Sequence, residues 1–170
     1  MINNSSLQPI KQFIVQDNID WTFTWEWINN NPLDTPCSEK LSIIQGRKIK
    51  KCTFTHPTVD IQQRNYPRLY PQGTIPCITC NSVKDNNEHI GLCPAHSDAI
   101  SQIMIEFSDI LLHLLMDIVD DNKKYGLIDT IKGSMLFNTN FGSHLTIDHP
   151  FYLLIHHLVP RDLTDIFIII

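Results

Sequence analysis

The hydrophobic pattern is most regular between Ser97 and Lys124. Apolar residues fall at Ile100, Ile103, Phe107, Ile110, Leu111, Leu114, Ile118 and Val119, in steps of three and four. Gln102, Glu106, Asp109, Asp117, Asp120 and Asp121 occupy the rest of the wheel. That periodicity predicts one long amphipathic core helix of about seven turns, closed by Gly126 as a C-terminal cap.

Shorter elements surround it. Residues 1–11 read as a loose polar tail. Trp21, Trp25 and Ile28 are spaced i, i+4, i+7 behind Asp20, which predicts a short capped helix; the alternation of Phe23, Trp25 and Trp27 also permits a strand, and the helix is preferred. Residues 29–36 form a loop by their turn residues. Ser38 then caps a helix with Leu41, Ile44 and Ile49 on one face and basic residues on the other, weakened at Gly46. Thr55-His-Pro-Thr stops it, and a short helix from Val59 is ended or kinked by Pro67. After the long helix, Leu127–Lys132 predicts another turn or two, and residues 138–143 a flexible loop. A helix with Pro150 in its first turn follows. Pro160 ends it and a last helix starts at Asp162. The stop on Ile168-Ile-Ile, with no cap, reads as a truncated element of a longer protein. The expected fold class is mainly α: an irregular helical array with little strand. Three regions are expected: a polar tail and Trp-rich segment over 1–37, a zinc-binding helical domain over 38–125, and a C-terminal helical segment over 126–170.

Composition narrows the function classes. At 42% hydrophobic residues the 170-residue chain supports a core, so wholesale disorder is excluded. No uninterrupted apolar run reaches the roughly 18 residues of a membrane span, and no secretory signal is visible, so the expectation is an intracellular chain with reduced cysteines and no membrane partner. The net charge of −5 is unevenly spread. Residues 40–70 hold Lys40, Arg47, Lys48, Lys50, Lys51, Arg64 and Arg68 against Asp60 alone, whereas residues 85–170 carry twelve acids against four bases. A basic strip in front of an acidic helical body follows.

The candidate chemistry lies between those halves. Cys77, Cys80, His89 and Cys93 have the spacing Cys-x2-Cys-x8-His-x3-Cys. A two-residue gap lets a tight turn aim two thiolates at one ion, and the eight-residue connector is long enough to reverse the chain. His89 and Cys93, four apart, would lie one above the other on a helical turn. Four such ligands suit a structural zinc ion with no open position. His96 is an alternative ligand, and Cys52 with His56 could supply outlying ones; Cys37 reads as a free thiol.

In this segment, with Glu88 just before His89 and Pro94 after Cys93, the chain resembles the zinc-binding region that follows the polymerase domain in non-LTR retrotransposon reverse transcriptases. Upstream, the basic helix around Gly46-Arg-Lys-Ile-Lys-Lys, the His56-Pro-Thr turn where that family often shows Leu-Pro-Thr, and the short helix before Cys77 agree. So does the long helix after Cys93. The resemblance covers roughly residues 40–120 and implies that Cys77, Cys80, His89 and Cys93 are the zinc ligands. The commonest spacing between His and the last Cys in that family is one residue longer, so this is a variant form.

Catalytic constellations are missing from the sequence. Asp120-Asp121 is the only adjacent acidic pair and reads as a helix terminus rather than a polymerase site. His156-His157 reads as a partly exposed pair, and His113 as a boundary residue. No phosphate loop or nucleophile motif appears. The expected function is therefore a non-catalytic, zinc-stapled fragment of a reverse transcriptase-like protein. RNA or DNA would be bound through Arg47, Lys48, Lys50, Lys51, Arg64 and Arg68, with Tyr66 and Tyr70 available for base stacking. The alternative is a protein-interaction scaffold that uses the tryptophan cluster and the apolar C-terminus.

Overall fold

The computed structural model describes residues 5–33, 35–138 and 145–168. The described chain is mainly helical: α1 (Lys11–Val15), α2 (Trp21–Asn29), α3 (Glu39–Cys52), α4 (Val59–Asn65), α5 (Ser97–Met116), α6 (Lys124–Gly133), α7 (Pro150–Ile155) and α8 (Arg161–Ile168). No sheet forms among the described residues; two isolated bridges, Ile19 with Pro160 and Pro76 with Lys84, are the extended pairings.

The first eleven residues were expected to be loose, but residues 5–10 form a 3-10 turn that runs into α1, and Ile10 and Phe13 are buried. Leu7, Ile10 and Ile14 share a face whose short apolar repeat is hidden among polar neighbours. α2 forms as predicted. Asp20 accepts from the backbone N–H groups of Thr22 and Phe23, satisfying donors that no helical carbonyl reaches. Its other oxygen accepts from Thr164 in α8 at 3.1 Å. The backbone bonds Asp20 N–H to Val159 O (2.8 Å) and Arg161 N–H to Asn18 O (2.9 Å) complete a seam between residues 17–24 and 159–164.

α3 is capped by Ser38, whose hydroxyl accepts from Leu41 N–H. Its inward face is Leu41, Lys48 and Cys52, at i, i+7 and i+11; Ile49, expected inside, is half exposed. Lys48 is drawn inward by the C-terminus of α2. Its Nζ donates to Trp27 O at 2.7 Å and Asn30 O at 3.4 Å, and it lies 4.2 Å from the Trp27 ring centroid. Unpaired carbonyls at a helix end carry partial negative charge, which a buried ammonium neutralises.

The long helix is shorter than its periodicity predicts. α5 stops at Met116, and Gly126 lies inside α6 instead of capping α5. Asp117, Asp120 and Asp121 crowd the negative end of the helix dipole, where acids are unfavourable, and Asp121 pairs with Lys124 at 2.6 Å. Val119 folds back beneath the turn to join Leu111, Leu115, Leu127, Ile131 and Ile166 in one core cluster. The buried face also differs. Ile100, Met104, Leu111 and Leu115 point inward, whereas Ile103, Phe107, Ile110, Leu114 and Ile118 are between 43% and 73% exposed. α5 is apolar around most of its circumference, so periodicity alone does not select the inward side. With the preceding 3-10 turn, Pro94–Met116 makes 23 helical residues, long and apolar enough to cross a membrane by length and composition. Asp98, Glu106 and Asp109 interrupt the apolar run and kept that property from view in the sequence.

α7 joins the other two clusters. Tyr152 and Leu153 pack with Ile10, Phe13, Ile19, Phe54 and Leu158, while Phe151 and Ile155 pack with Ile100, Met104 and Leu145. His149 caps α7 by accepting from Phe151 N–H, and Pro150 sits in its first turn as predicted. His156, expected to be partly exposed, is 1% exposed, stacked on Phe54 at 4.0 Å and edge-on to Tyr152 at 4.7 Å. His113 is exposed. The loop predicted over 138–143 falls, apart from Asn138, outside the described residues, as do Ile169 and Ile170.

Candidate metal centre

The first two cysteines sit on a tight hairpin. Asp85 N–H donates to Ile75 O (3.1 Å), Cys77 N–H to Val83 O (2.7 Å) and Asn81 N–H to Cys77 O (2.8 Å). Asn81 takes a positive φ of 55°, tolerable for Asn, which turns the chain between Cys80 and Ser82. Thr79 N–H points at Cys77 Sγ, 3.4 Å away. The N–H groups of Cys80 and Thr79 hold the Cys77 thiol below its ordinary range. The Ser82 hydroxyl, helped by the N–H groups of Ser82 and Val83, brings Cys80 down to about 5. These turns favour thiolates, the form that binds metal.

The second pair arrives on a different element from the one predicted. Residues 86–93 are a series of turns, not a helix, with Leu92 N–H donating to His89 O and a positive φ of 81° at Gly91. Asn86 accepts from His89 N–H at 2.8 Å and fixes the start of the turn. Burial pushes the Cys93 thiol up, with the Ala95 N–H working against it.

Despite the different local route, the four donor atoms of Cys77, Cys80, His89 and Cys93 all lie within 4.8 Å of one another. Cys77 Sγ is 4.0 Å from Cys93 Sγ, and Cys80 Sγ is 3.4 Å from His89 Nε2. A tetrahedral zinc site with ordinary bond lengths has S–S edges of about 3.8 Å and S–N edges of about 3.5 Å. Cys77, His89 and Cys93 are buried and Cys80 is partly so. The cluster therefore fits a metal ion in donor type, spacing and shielding. The exposed His96 stands outside the four, and so do Cys52 and His56. Cys52 is buried against His157 O, and burial pushes its thiol up to about 11. Cys37 is an exposed free thiol.

Three residues not singled out from the sequence seat the loop that carries this cluster on the α3–α4 turn and on α7. Asn87, buried, donates to His56 O (3.0 Å) and Thr58 Oγ1 (2.8 Å). Tyr152 donates to Glu88 O at 3.4 Å. Gly91 lies directly against Ile155 of α7. Asn87 and Gly91 occupy the connector between ligands, where only the odd glycine hinted at a special backbone.

Of the six basic residues predicted to face nucleic acid, Arg47, Lys50, Arg64 and Arg68 are exposed and Lys51 is half-buried; none forms an ion pair among the described residues. Lys48 departs from the set, since its ammonium caps α2. His56 is held below its usual range first by burial, then by the positive charges of Lys51, Lys50 and Arg47. Those three cations thus converge on the C-terminal end of α3. Tyr66 is 54% exposed, and Tyr70 is half-buried.

No protein-family model matches the chain, and neither does a curated protein or a solved structure.

Proposed function

We propose that Cys77, Cys80, His89 and Cys93 hold one structural zinc ion that staples the loop between α4 and α5 onto α7. The proximity of the four donor atoms carries this reading. The set fills four positions with soft or borderline ligands and leaves none for a substrate, so the ion would supply folding energy, not chemistry. Metal analysis of protein purified under reducing conditions tests it. About one zinc per chain is expected; a content near zero with all ligand thiols freely reactive ends the account.

The staple would hold the α3–α4 turn in place, and the exposure of Arg47, Lys50, Arg64, Arg68 and Tyr66 supports a nucleic-acid contact through these residues. Binding of this kind is salt-sensitive and largely independent of sequence. It also accords with the resemblance to the region that follows a reverse transcriptase, of which this chain would be a non-catalytic relative. Retention on single-stranded RNA or DNA at low salt should drop in an Arg47/Lys50/Arg64→Glu variant. Equal retention by that variant and the parent chain discards the contact.

A further inference from the structure

The outward face of α5 is an exposed apolar surface that the metal centre and the basic strip leave unused. Ile103, Phe107, Ile110 and Leu114 are all exposed and follow one another at steps of four, three and four. Those steps make the seam of a two-stranded coiled coil. They also read the same in either direction. Turning the helix end for end exchanges Ile103 with Leu114 and Phe107 with Ile110, so the face is complementary to itself about a two-fold axis.

We propose that this face is the interface between two copies of the chain, with α5 packed antiparallel on α5 of the second copy. Ile103 of each copy then meets Leu114 of the other, and Phe107 meets Ile110. The charge pattern suits this arrangement. Glu106 and His113 are exposed along the same flank of α5, and in the antiparallel register Glu106 of each copy lies across from His113 of the other. Gln102 already holds the Glu106 carboxylate from within the helix at 2.7 Å. The seam itself carries no charge.

The available area is of the right size. At their observed exposures, the seam residues with Ile118 offer about 500 Å² per copy, and about 700 Å² once Phe23 and Phe167 beside Phe107 are included. A standard interface takes about 800 Å² from each partner. Phe23, Phe107 and Phe167 also line a cavity of about 620 Å³, which the second copy would cover. A lipid surface is the competing occupant, given the length and apolarity of the Pro94–Met116 helix. Two observations favour the second copy: the opposite face of α5 is already packed against α6 and α8, and Glu106, Asp109 and Asp117 make the flank acidic.

Sedimentation equilibrium on the full chain, from low micromolar to about 100 μM, tests the proposal. The mass should approach twice 19.6 kDa, and Ile110→Lys should weaken self-association by at least tenfold with an unchanged circular dichroism spectrum. Ile103→Glu and Leu114→Lys should each be monomeric alone and should form a heterodimer when mixed, because those positions face each other only in the antiparallel register. A parent chain that stays monomeric throughout the range overturns the proposal. So does a monomer that floats with phosphatidylcholine vesicles, or a dimer indifferent to Ile110→Lys. Failure of the mixed pair to associate overturns the antiparallel arrangement.

Discussion

Gly91 and Ile155 approach more closely than any other side chain at position 91 would allow. A Cβ on Gly91 would stand 2.3 Å from Ile155 Cδ1 and 2.9 Å from its Cγ2. The glycine also takes a φ of +81°, which L side chains seldom adopt. It lies between His89 and Cys93, so its contact is where the loop that carries the Cys/His cluster is pressed onto α7. Gly91→Ala should cost about 2–3 kcal/mol, since it combines backbone strain with overpacking. Gly73 has a φ of +105° and open space around it, so Gly73→Ala should cost only about 1 kcal/mol. Urea unfolding of the two variants measures the difference. Equal losses would show that the close approach constrains nothing.

The five cysteines divide by environment, and a thiol reagent should resolve them. Cys37 is exposed and should react at once. Cys52 is buried with its thiol pushed up to about 11, so it should stay slow in the folded chain. With zinc bound, Cys77, Cys80 and Cys93 should be protected, and a chelator should release three fast thiols together. Cys80→Ser should expose the remaining two, Cys77 and Cys93, without chelator and should raise amide exchange over residues 75–93. Three ligand thiols that react as fast before chelation as after would count against the staple.

Much of this centre was legible because ligand spacing is a local property. Two cysteines two residues apart need only a tight turn, and a turn formed. His89 and Cys93 came together by a different route, through a positive-φ glycine instead of a helix, and the donor set survived the change. Element positions were legible at several local cap and proline signals, since Asp20, Ser38, Pro67 and Pro150 mark real boundaries, whereas Gly126 lies inside α6 and α7 stops at Ile155, short of Pro160. The inward face of α5 was not legible, because apolar residues cover most of its surface and tertiary packing chose Met104 and Leu115 over Ile103 and Leu114. Lys48 and His156 were misplaced for a related reason. Each is a polar residue drawn inward by a partner distant in sequence, the carbonyls of α2 for one and the ring of Phe54 with the Lys51 carbonyl for the other.

Lys48 should therefore behave unlike its basic neighbours. Its ammonium satisfies the last carbonyls of α2 and sits over the Trp27 ring, and it is 7% exposed. Lys48→Met keeps the stem and removes the charge, and should destabilise the fold by about 1–3 kcal/mol. Lys50→Glu, on the exposed side of the same helix, should leave stability within about 0.5 kcal/mol and act only on nucleic-acid retention and its salt dependence. Thermal unfolding and a salt titration of binding, run on both variants, separate the two roles. A Lys48→Met protein as stable as the parent would mean that the buried ammonium contributes nothing net.

Acid should loosen the fold through His156. Burial lowers its pKa to about 4, and the nearby charges of Lys51, His157 and His56 act the same way, while the Lys51 carbonyl that its Nδ1 faces at 3.3 Å works against them. The folded chain therefore keeps this imidazole neutral where the unfolded chain, with the ordinary value of 6.5, takes up a proton. Stability from this residue is complete above pH 6.5 and is lost as the pH falls from there toward 4. Between pH 7 and pH 4.5 the loss should be about 2 kcal/mol. His157, also lowered to about 4 by burial first and then by Lys51 and Lys48, is less enclosed and should add a smaller share in the same direction. His156→Phe retains a flat ring against Phe54 but cannot be protonated, so its stability should fall less over the same interval. Any acid-induced loss of metal is common to both proteins and cancels in the difference. Urea unfolding free energies at the two pH values supply that difference, and parallel pH profiles for parent and variant would remove His156 as the source.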